Sequence, residues 1–402
     1  MTDSATAIRA AHRDSAPWPY DLLDVLELRA RGWRPTPFRE LVLKVHQRCN
    51  LACDYCYVYE QADQSWRDRP AVMSPETRRA AIDRLARHVR AHDLTAVRVI
   101  LHGGEPLLYG TARLAELAAE IRAGIPCSVD IGMQTNGVRL DEAFLDVARK
   151  SGIRIGVSLD GTEKAHDRHR RTRRGAGSFA AVSHGLRLLN RPENRPVYAG
   201  ILCTVSPDAD PIGTYDQLAA FGPPAVDFLL PHANWAHPPH RPAGAGTAYA
   251  DWLIAVFDHW NGGPVRVRIF EDIMRLLLGG GGRGEQVGLG PSAVLVVETD
   301  GAIEQVDALK SAYHGAAATG LHVLRDDLDA AFDDPGVAAR QIGMLALADS
   351  CRSCRVRRVC GGGHYAHRYR AGAGFREPSV YCRDLAVLVD HVRTRMGRRV
   401  GA

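Results

Sequence analysis

A chain of 402 residues exceeds one ordinary domain and fits two to three, or a single large barrel with an appendage. Hydrophobic content of 46% and charged content of 24% exclude global disorder. A formal charge of +5 is too mild to point to nucleic acid, and the densest basic run, Arg168 to Arg174, interleaves no aromatic on which a base would stack.

Residues 1–37 read as an N-terminal extension, poorly ordered to about residue 19 and then helical from Tyr20 to Ala30. It is expected to be too short for an independent leader-binding domain. From about Arg39 to Leu230, short β-branched runs alternate with longer helical stretches, the pattern of βα units around a parallel sheet. Strands are expected at Leu41–Val45, Val97–Leu101, Ser128–Met133, Ile153–Leu159, Tyr198–Val205 and Val226–Leu230, each a run that could be buried on both faces. Helices are expected at Glu76–His92, Ala112–Ala123, Glu142–Lys150, Phe179–Leu189, with Ser178 as N-cap, and Tyr215–Phe221. Six such units predict an α/β fold: a partial (β/α)6 TIM-like barrel over residues 38–232. The Pro, Gly and His-rich stretch after Pro231 marks a boundary. Residues 233–290 form a linker with helices at Tyr249–Trp260 and Phe270–Leu278 and a break at Gly279–Gly282. Residues 291–402 form a C-terminal domain entered through a hairpin, Val294–Glu298 with Gly301–Val306. No apolar stretch is long enough to span a bilayer and the N-terminus lacks a signal segment, so a cytoplasmic protein without membrane partners is expected.

Nine cysteines without an export signal argue for thiolate ligands rather than disulfides. Cys49, Cys53 and Cys56, in C-x3-C-x2-C after the first strand, can hold three irons of a cubane cluster that normally takes four protein ligands. One iron is then open to an exogenous ligand. The alternative is a structural zinc completed by His46. LHGGEP follows the second strand, with His102, Gly103, Gly104 and Glu105: glycines permit close backbone approach, and a carboxylate can receive an ammonium group. QTNG and SLDG follow the third and fourth strands, where a barrel presents its active face.

VHQRCNLACDYCY, GGEP, QTNG and VSLDG resemble the radical SAM superfamily, and within it the peptide-modifying subgroup with a SPASM-type C-terminal region. The resemblance implies a 4Fe-4S cluster on Cys49, Cys53 and Cys56 whose open iron chelates S-adenosylmethionine. It implies that Tyr55 packs on the adenine and that Gly104 and Glu105 hold the amino group. Ser158 and Arg170, the latter from HDRHR, would reach the carboxylate or ribose side, and Gln134 and Asn136 would line the pocket. His102 is expected to touch the cofactor or to be structural.

Cys351-x2-Cys354-x5-Cys360, followed by Cys382, supplies four thiolates, enough for a fully protein-ligated cluster or a zinc. SPASM regions resemble this set, which implies one auxiliary 4Fe-4S cluster. Two family positions depart: His364 stands where a further cysteine is expected, and Val306 where the G-x4-C element counted from Gly301 would place another. The second auxiliary cluster is therefore expected to be absent. His364 and Tyr365 are expected to pack under the cluster, and Cys127 and Cys203 to be small buried apolar residues. Asp307 stands where sulfatase-maturing relatives place a general base, which implies a catalytic role, against the alternative of a solvated turn carboxylate.

RGWRPTPFRE, ADQSWRDRP, VDFLLPHANW and CGGGHYAHRYRAG resemble the FxsB-type maturases. That resemblance implies a ribosomal precursor peptide as partner, an external flavodoxin- or ferredoxin-type electron donor, and a three-residue cyclophane as product. An aromatic ring carbon would be joined to the β-carbon two residues later in a Phe-x-Ser motif. The alternatives are oxidation of Ser or Cys to a formylglycine-type aldehyde, and a non-catalytic cluster protein. The Trp235–Ala248 loop and the hairpin near Asp307 are candidate peptide contacts.

Overall fold

The computed structural model describes residues 17–400 apart from 245 and 283, with the side chains of 398–400 left out. The poor order expected at the extreme N-terminus falls on residues 1–16, outside the described chain. Of the helix expected from Tyr20, only Val25–Ala30 forms, because Asp24 accepts from Glu27 N–H and starts it there.

All six expected strands form: β1 (Glu40–His46), β2 (Ala96–Gly103), β3 (Ser128–Thr135), β4 (Ile153–Ser158), β5 (Tyr198–Thr204) and β6 (Ala225–Leu229). They pair in parallel and in chain order. Their period-two alternation has a consequence that runs of apolar residues hid. Leu41, Leu43, Val45, Val99, Leu101, Ile131, Ile155 and Val157 are buried on the outer face. Their neighbours Val42, Ile100, Gln134, Gly156, Leu202 and Leu229 line a central cavity. The strands are therefore not buried on both faces; one face looks into the bore of the barrel.

The outer face is covered by α1 (Pro75–Ala91), α2 (Thr111–Gly124), α3 (Glu142–Ser151), α4 (Phe179–Leu189) and α5 (Pro211–Ala219). Ser74, Asp141 and Asp210 cap α1, α3 and α5. The Asp210 cap and Pro211 start α5 earlier than the expected Tyr215, since Pro at the first turn loses no intrahelical donor.

Beyond the barrel, β7 (Arg266–Val267) extends the sheet from β6. Helices α6 (Ala248–Trp260) and α7 (Arg268–Leu277) match the two expected in the linker. On the other edge β8 (Val294–Val297) pairs in parallel with β1, and β9 (Ala302–Glu304) and β10 (Ala318–His322) follow antiparallel. The hairpin thus continues the barrel sheet into one of ten strands. Gly301 makes its turn at φ +99°, and a Cβ there would lie 2.7 Å from the His322 ring. A final helix, α8 (Cys382–Val400), was not expected; it buries Leu385, Leu388, Val389 and Val392 at helical spacing. Among the described residues no helix is long and apolar enough to cross a membrane.

Candidate active site

Cys49, Cys53 and Cys56 lie on the loop that leaves β1. The loop is clamped from several directions. Leu51–Cys53 forms an antiparallel ribbon with Arg170–Thr172, which sets Cys53 opposite Arg170. Arg173 Nε donates to Cys49 O at 2.9 Å. The densest basic run, Arg168 to Arg174, thus contributes Arg170 and Arg173 to the clamp on the cysteine loop. His46 Nδ1 accepts from Arg48 N–H at 3.2 Å, holding the start of the loop.

The GGE segment presses on the same loop from below. Gly104 N–H donates to His46 O at 2.8 Å and Glu105 N–H to Arg48 O at 3.1 Å. A Cβ on Gly103 would lie 2.2 Å from His46 O, and one on Gly104 1.8 Å from the Tyr59 hydroxyl. Both glycines are required by the protein's own packing, a reason the sequence reading did not contain. Glu105 is fully buried; its carboxylate accepts from Leu107 N–H, Asn136 N–H and the Thr135 hydroxyl. A carboxylate offers about four acceptor positions, so one stays available to an ammonium group. Burial raises its pKa, against those three donors.

The other residues expected at the cofactor converge here. Asn136 Nδ2 lies 3.6 Å from Cys49 Sγ and donates to Asn50 Oδ1. Gln134 Nε2 donates to Ser158 Oγ at 3.0 Å. Tyr55 donates its hydroxyl to Asp160 and accepts from Arg170 Nη1 at 2.8 Å. Arg170 is buried, not a solvated surface arginine. Burial alone would favour loss of its proton, but Tyr55, Cys53 and Asp160 keep it cationic. Behind it, Ser178 occupies the N-cap position of α4 without capping: its hydroxyl donates to Arg170 O. Asp167 accepts from Ser178 N–H and Phe179 N–H instead.

The thiols fit an iron cluster. Without metal, burial pushes Cys49 up to about 11 and Cys53 up to about 12, and each thiol feels the charge of its neighbours. Cys49 Sγ also accepts from Leu51 N–H at 3.4 Å. Buried thiolates so placed need a cation to balance them. The chain supplies three, which leaves one iron of a cubane open.

The bore of the barrel holds a cavity of about 760 Å³ that His102, Gln134 and Asp307 all line. Asp307 is buried, not a solvated turn carboxylate. Burial alone would raise its pKa, but Lys44 Nζ at 2.8 Å and Lys310 Nζ at 3.3 Å hold the carboxyl well below the usual range. Lys310 also pairs with Glu298 and Glu304, and Arg69 pairs with both. Three cations thus balance three carboxylates. His102 Nδ1 is 4.0 Å from Asp307 Oδ2, and burial with the charge of Lys44 lowers its pKa to about 4. The sequence reading missed Lys44 and Tyr57, which also faces the cavity. Lys44 occupies a bore-facing position of β1, the period-two signal that would have found it.

Cys351, Cys354, Cys360 and Cys382 surround a second cavity of about 90 Å³ walled by Val356, Gly362 and Ala386. All four are free thiols. Beside them Arg368 is buried and donates to the carbonyls of Gly361, Gly362 and Gly363. Burial lowers its pKa, and Cys360 and Cys351 oppose that. A buried guanidinium with carbonyl partners calls for nearby negative charge, which a four-thiolate cluster supplies. Cys203 is fully buried, as expected, whereas Cys127 is half-buried. Val306 and His364 line the large cavity, so the two departures from the SPASM pattern face one space.

Residues 43–202 match the Radical SAM superfamily. The serine-type anaerobic sulfatase-maturating enzyme of Klebsiella aerogenes is 27% identical over 359 residues, covering 86% of this chain and 84% of that enzyme. The structure of native anSMEcpe with bound AdoMet superposes with a TM-score of 0.76 at 20% identity, covering 90% of this chain and 99% of that one. Streptococcus suis SuiB bound to its precursor peptide SuiA superposes with a TM-score of 0.60 at 16% identity, covering 89% and 78%. The parallel barrel, the clamped three-cysteine loop and the matched segment make this chain a radical SAM enzyme, working with 4Fe-4S clusters and S-adenosylmethionine.

Proposed function

We propose that this enzyme modifies a ribosomally made precursor peptide, closing a carbon–carbon bond between an aromatic ring and the β-carbon two residues later, in a Phe-x-Ser-type motif. The observation that carries this reading is the cavity. About 760 Å³ walled by Val42, Ile100, Met133, Leu202, Leu229 and Tyr57 is room for an aromatic ring together with a second side chain. Relatives that mature sulfatases or bind a precursor peptide support a peptide substrate.

When bound, the cofactors supply a hydrogen-abstracting radical at the first cluster and a one-electron acceptor at the second. Tyr55, Glu105, Asn136 and Arg170 would hold S-adenosylmethionine at the cysteine loop, with Gln134 and Ser158 bordering its pocket, and His102 lines the cavity that would take the substrate. Ring closure leaves the aromatic carbon with one electron and one proton to lose. An oxidised ring carbon gives up its proton readily, so the acceptor need not be strongly basic. Asp307, whose carboxyl Lys44 and Lys310 hold below the usual range against its burial, meets that need, and the two lysines fix its position. One electron per turnover enters from a flavodoxin- or ferredoxin-type donor.

The 27% identity to a serine-type sulfatase maturase favours a second reading, oxidation of a serine to formylglycine. That route also ends with one electron and one proton to lose, and the placement of Asp307 supports it as well as the crosslink, so the base does not decide between them. Coexpression with the precursor peptide and mass spectrometry separates the two. Both products lose two hydrogens, but the crosslink suppresses fragmentation between the joined residues. An intact fragment ladder with a hydrazine-reactive carbonyl rejects the crosslink. No 5'-deoxyadenosine from the dithionite-reduced enzyme rejects both.

A further inference from the structure

Three histidines meet on the wall of the large cavity, where the ring of Tyr57, the residue after Cys56, packs edge-on against His232 at 4.7 Å. His232 follows the last barrel strand, and His364 and His367 follow Cys360. Their ring centroids are 5.4, 5.9 and 5.0 Å apart, and one nitrogen from each lies within 4.8 Å of the others. His367 is 3% exposed, and neither of its ring nitrogens has a hydrogen-bond partner; His232 Nδ1 is likewise buried and unpartnered. His364 is partnered only weakly, by Ala366 N–H at 3.3 Å and by Glu285 Oε2 at 3.7 Å from its Nε2. Glu285 is itself anchored by Arg340 and Ser292.

A buried polar nitrogen without a partner is destabilising, and His367 carries two. Folds rarely keep such groups unless something absent from the protein's own atoms satisfies them. Burial lowers the pKa of all three rings and so favours their neutral forms. Neutral rings have a lone pair each. They cannot satisfy one another in pairs without leaving a nitrogen over, yet three of them facing one point can share a cation.

We propose that His232, His364 and His367 bind a divalent transition-metal ion of the zinc class, with its remaining coordination positions open to the substrate cavity. Three imidazoles suit zinc and its first-row neighbours rather than calcium or magnesium. A three-ligand set beside a large cavity follows the pattern of an open site, not a closed structural one. Glu285 Oε2 lies 3.7 Å from His364 Nε2 and places a carboxylate beside the ion. The ion would lie between the barrel and the C-terminal domain, facing the same space as Asp307.

The test uses anaerobically reconstituted holoenzyme, freed of loosely held metal with a chelator and titrated with zinc(II). Zinc, iron and sulfide are counted per chain. The wild type should retain about one zinc beyond its cluster iron, and the His232→Ala, His367→Ala double variant should bind it at least 100-fold more weakly with iron and sulfide unchanged. Glu285→Gln should weaken it by about 10–100-fold. Equal zinc retention in wild type and double variant overturns the proposal. So that a variant that fails to fold decides nothing alone, cobalt(II) is added to the wild type. Tetrahedral visible bands without sulfur-to-metal charge transfer support the histidine site; sulfur charge transfer places the ion on cysteines and rejects it. Neither readout depends on the peptide product, so failure here leaves the crosslinking reading untouched, and the reverse.

Discussion

The two cysteine sites are built in opposite ways. Around Cys49, Cys53 and Cys56 the protein gathers polar groups from across the barrel: Arg170 from the ribbon, Asn136 after β3, Glu105 after β2 and Arg173 on the loop carbonyl. Around Cys351, Cys354, Cys360 and Cys382 it gathers mostly small walls, Val356, Gly362, Ser379 and Ala386, with Arg357 in the lining and Arg368 behind the glycine turn. A site that must receive a charged ligand needs unsatisfied acceptors and donors at its open side. One that only stores an electron needs closure, full protein ligation and control of local charge. The difference teaches that three cysteines against four is only the visible part of the division of labour; the surroundings carry the rest.

The sharpest way to break this comparison is to remove one ligand from each site. Cys49→Ser should abolish both 5'-deoxyadenosine formation and peptide product. Cys382→Ser should abolish product while leaving 5'-deoxyadenosine formation within about tenfold of wild type, because the second site acts after the radical forms. Chromatographic quantitation of 5'-deoxyadenosine beside product mass reads both. Equal loss of 5'-deoxyadenosine in the two variants would show that the sites are not separable.

Asp307 lines the large cavity, and its substitution should give the next largest effect. Asp307→Asn keeps the shape but leaves Lys44 and Lys310 without their shared carboxylate. Product formation should fall by about 10²–10⁴, the usual worth of a positioned proton acceptor, while 5'-deoxyadenosine persists uncoupled from product. Product at the wild-type rate would remove Asp307 from the proton path.

Much of the first site was legible because its parts are short and sit at strand ends. The cysteine triplet, QTNG and SLDG each occupy a few consecutive residues, and β-branched runs located the barrel strands to within two residues or so. What was not legible depends on convergence. Lys44 and Lys310 reach Asp307 from a barrel strand and a C-terminal turn. His232 meets His364 and His367 across more than a hundred residues, and no local spacing records that. Gly103 and Gly104 invited a cofactor reading because loop packing against His46 and Tyr59 leaves no trace in a dipeptide. Ser178 stood at a cap position, but Asp167 was the better acceptor, and the hydroxyl was free to serve Arg170. Two-sided burial was inferred for the strands because Val, Ile and Leu wall the bore as well as the core.

A milder perturbation sharpens the contrast from the second site. Arg368→Gln removes the buried cation while its amide can still meet a glycine carbonyl. It should weaken retention of the second cluster by about 10–100-fold, in line with other groups that support metal ligands. Iron counts during chelator challenge check it: about four irons per chain should leave faster than in wild type, and the remaining cluster should still cleave S-adenosylmethionine. Loss of all iron at one rate would show that Arg368 holds the fold rather than the cluster.

The smallest expected effect concerns the scaffold behind the first site. His166 is fully buried; its Nδ1 accepts from Asp160 N–H, and its Nε2 faces the Ser178 hydroxyl. Burial, with the charge of Arg170 behind it, lowers its pKa from 6.5 to about 3. Below pH 6.5 the unfolded chain therefore binds a proton that the folded chain refuses, so folded stability falls as pH drops from 6.5 toward 3. The contribution is at most about 1.4 kcal/mol per pH unit, or about 2 kcal/mol between pH 6.5 and 5. His166→Gln lacks this titration but loses hydrogen bonds at neutral pH, so it should be less stable than wild type at pH 7.5. The gap should close by up to about 2 kcal/mol at pH 5 in denaturant titrations. A gap that stays constant would mean that His166 takes up a proton in the folded protein as readily as in the unfolded one, and that it is not the neutral ring behind the ribbon opposite Cys53.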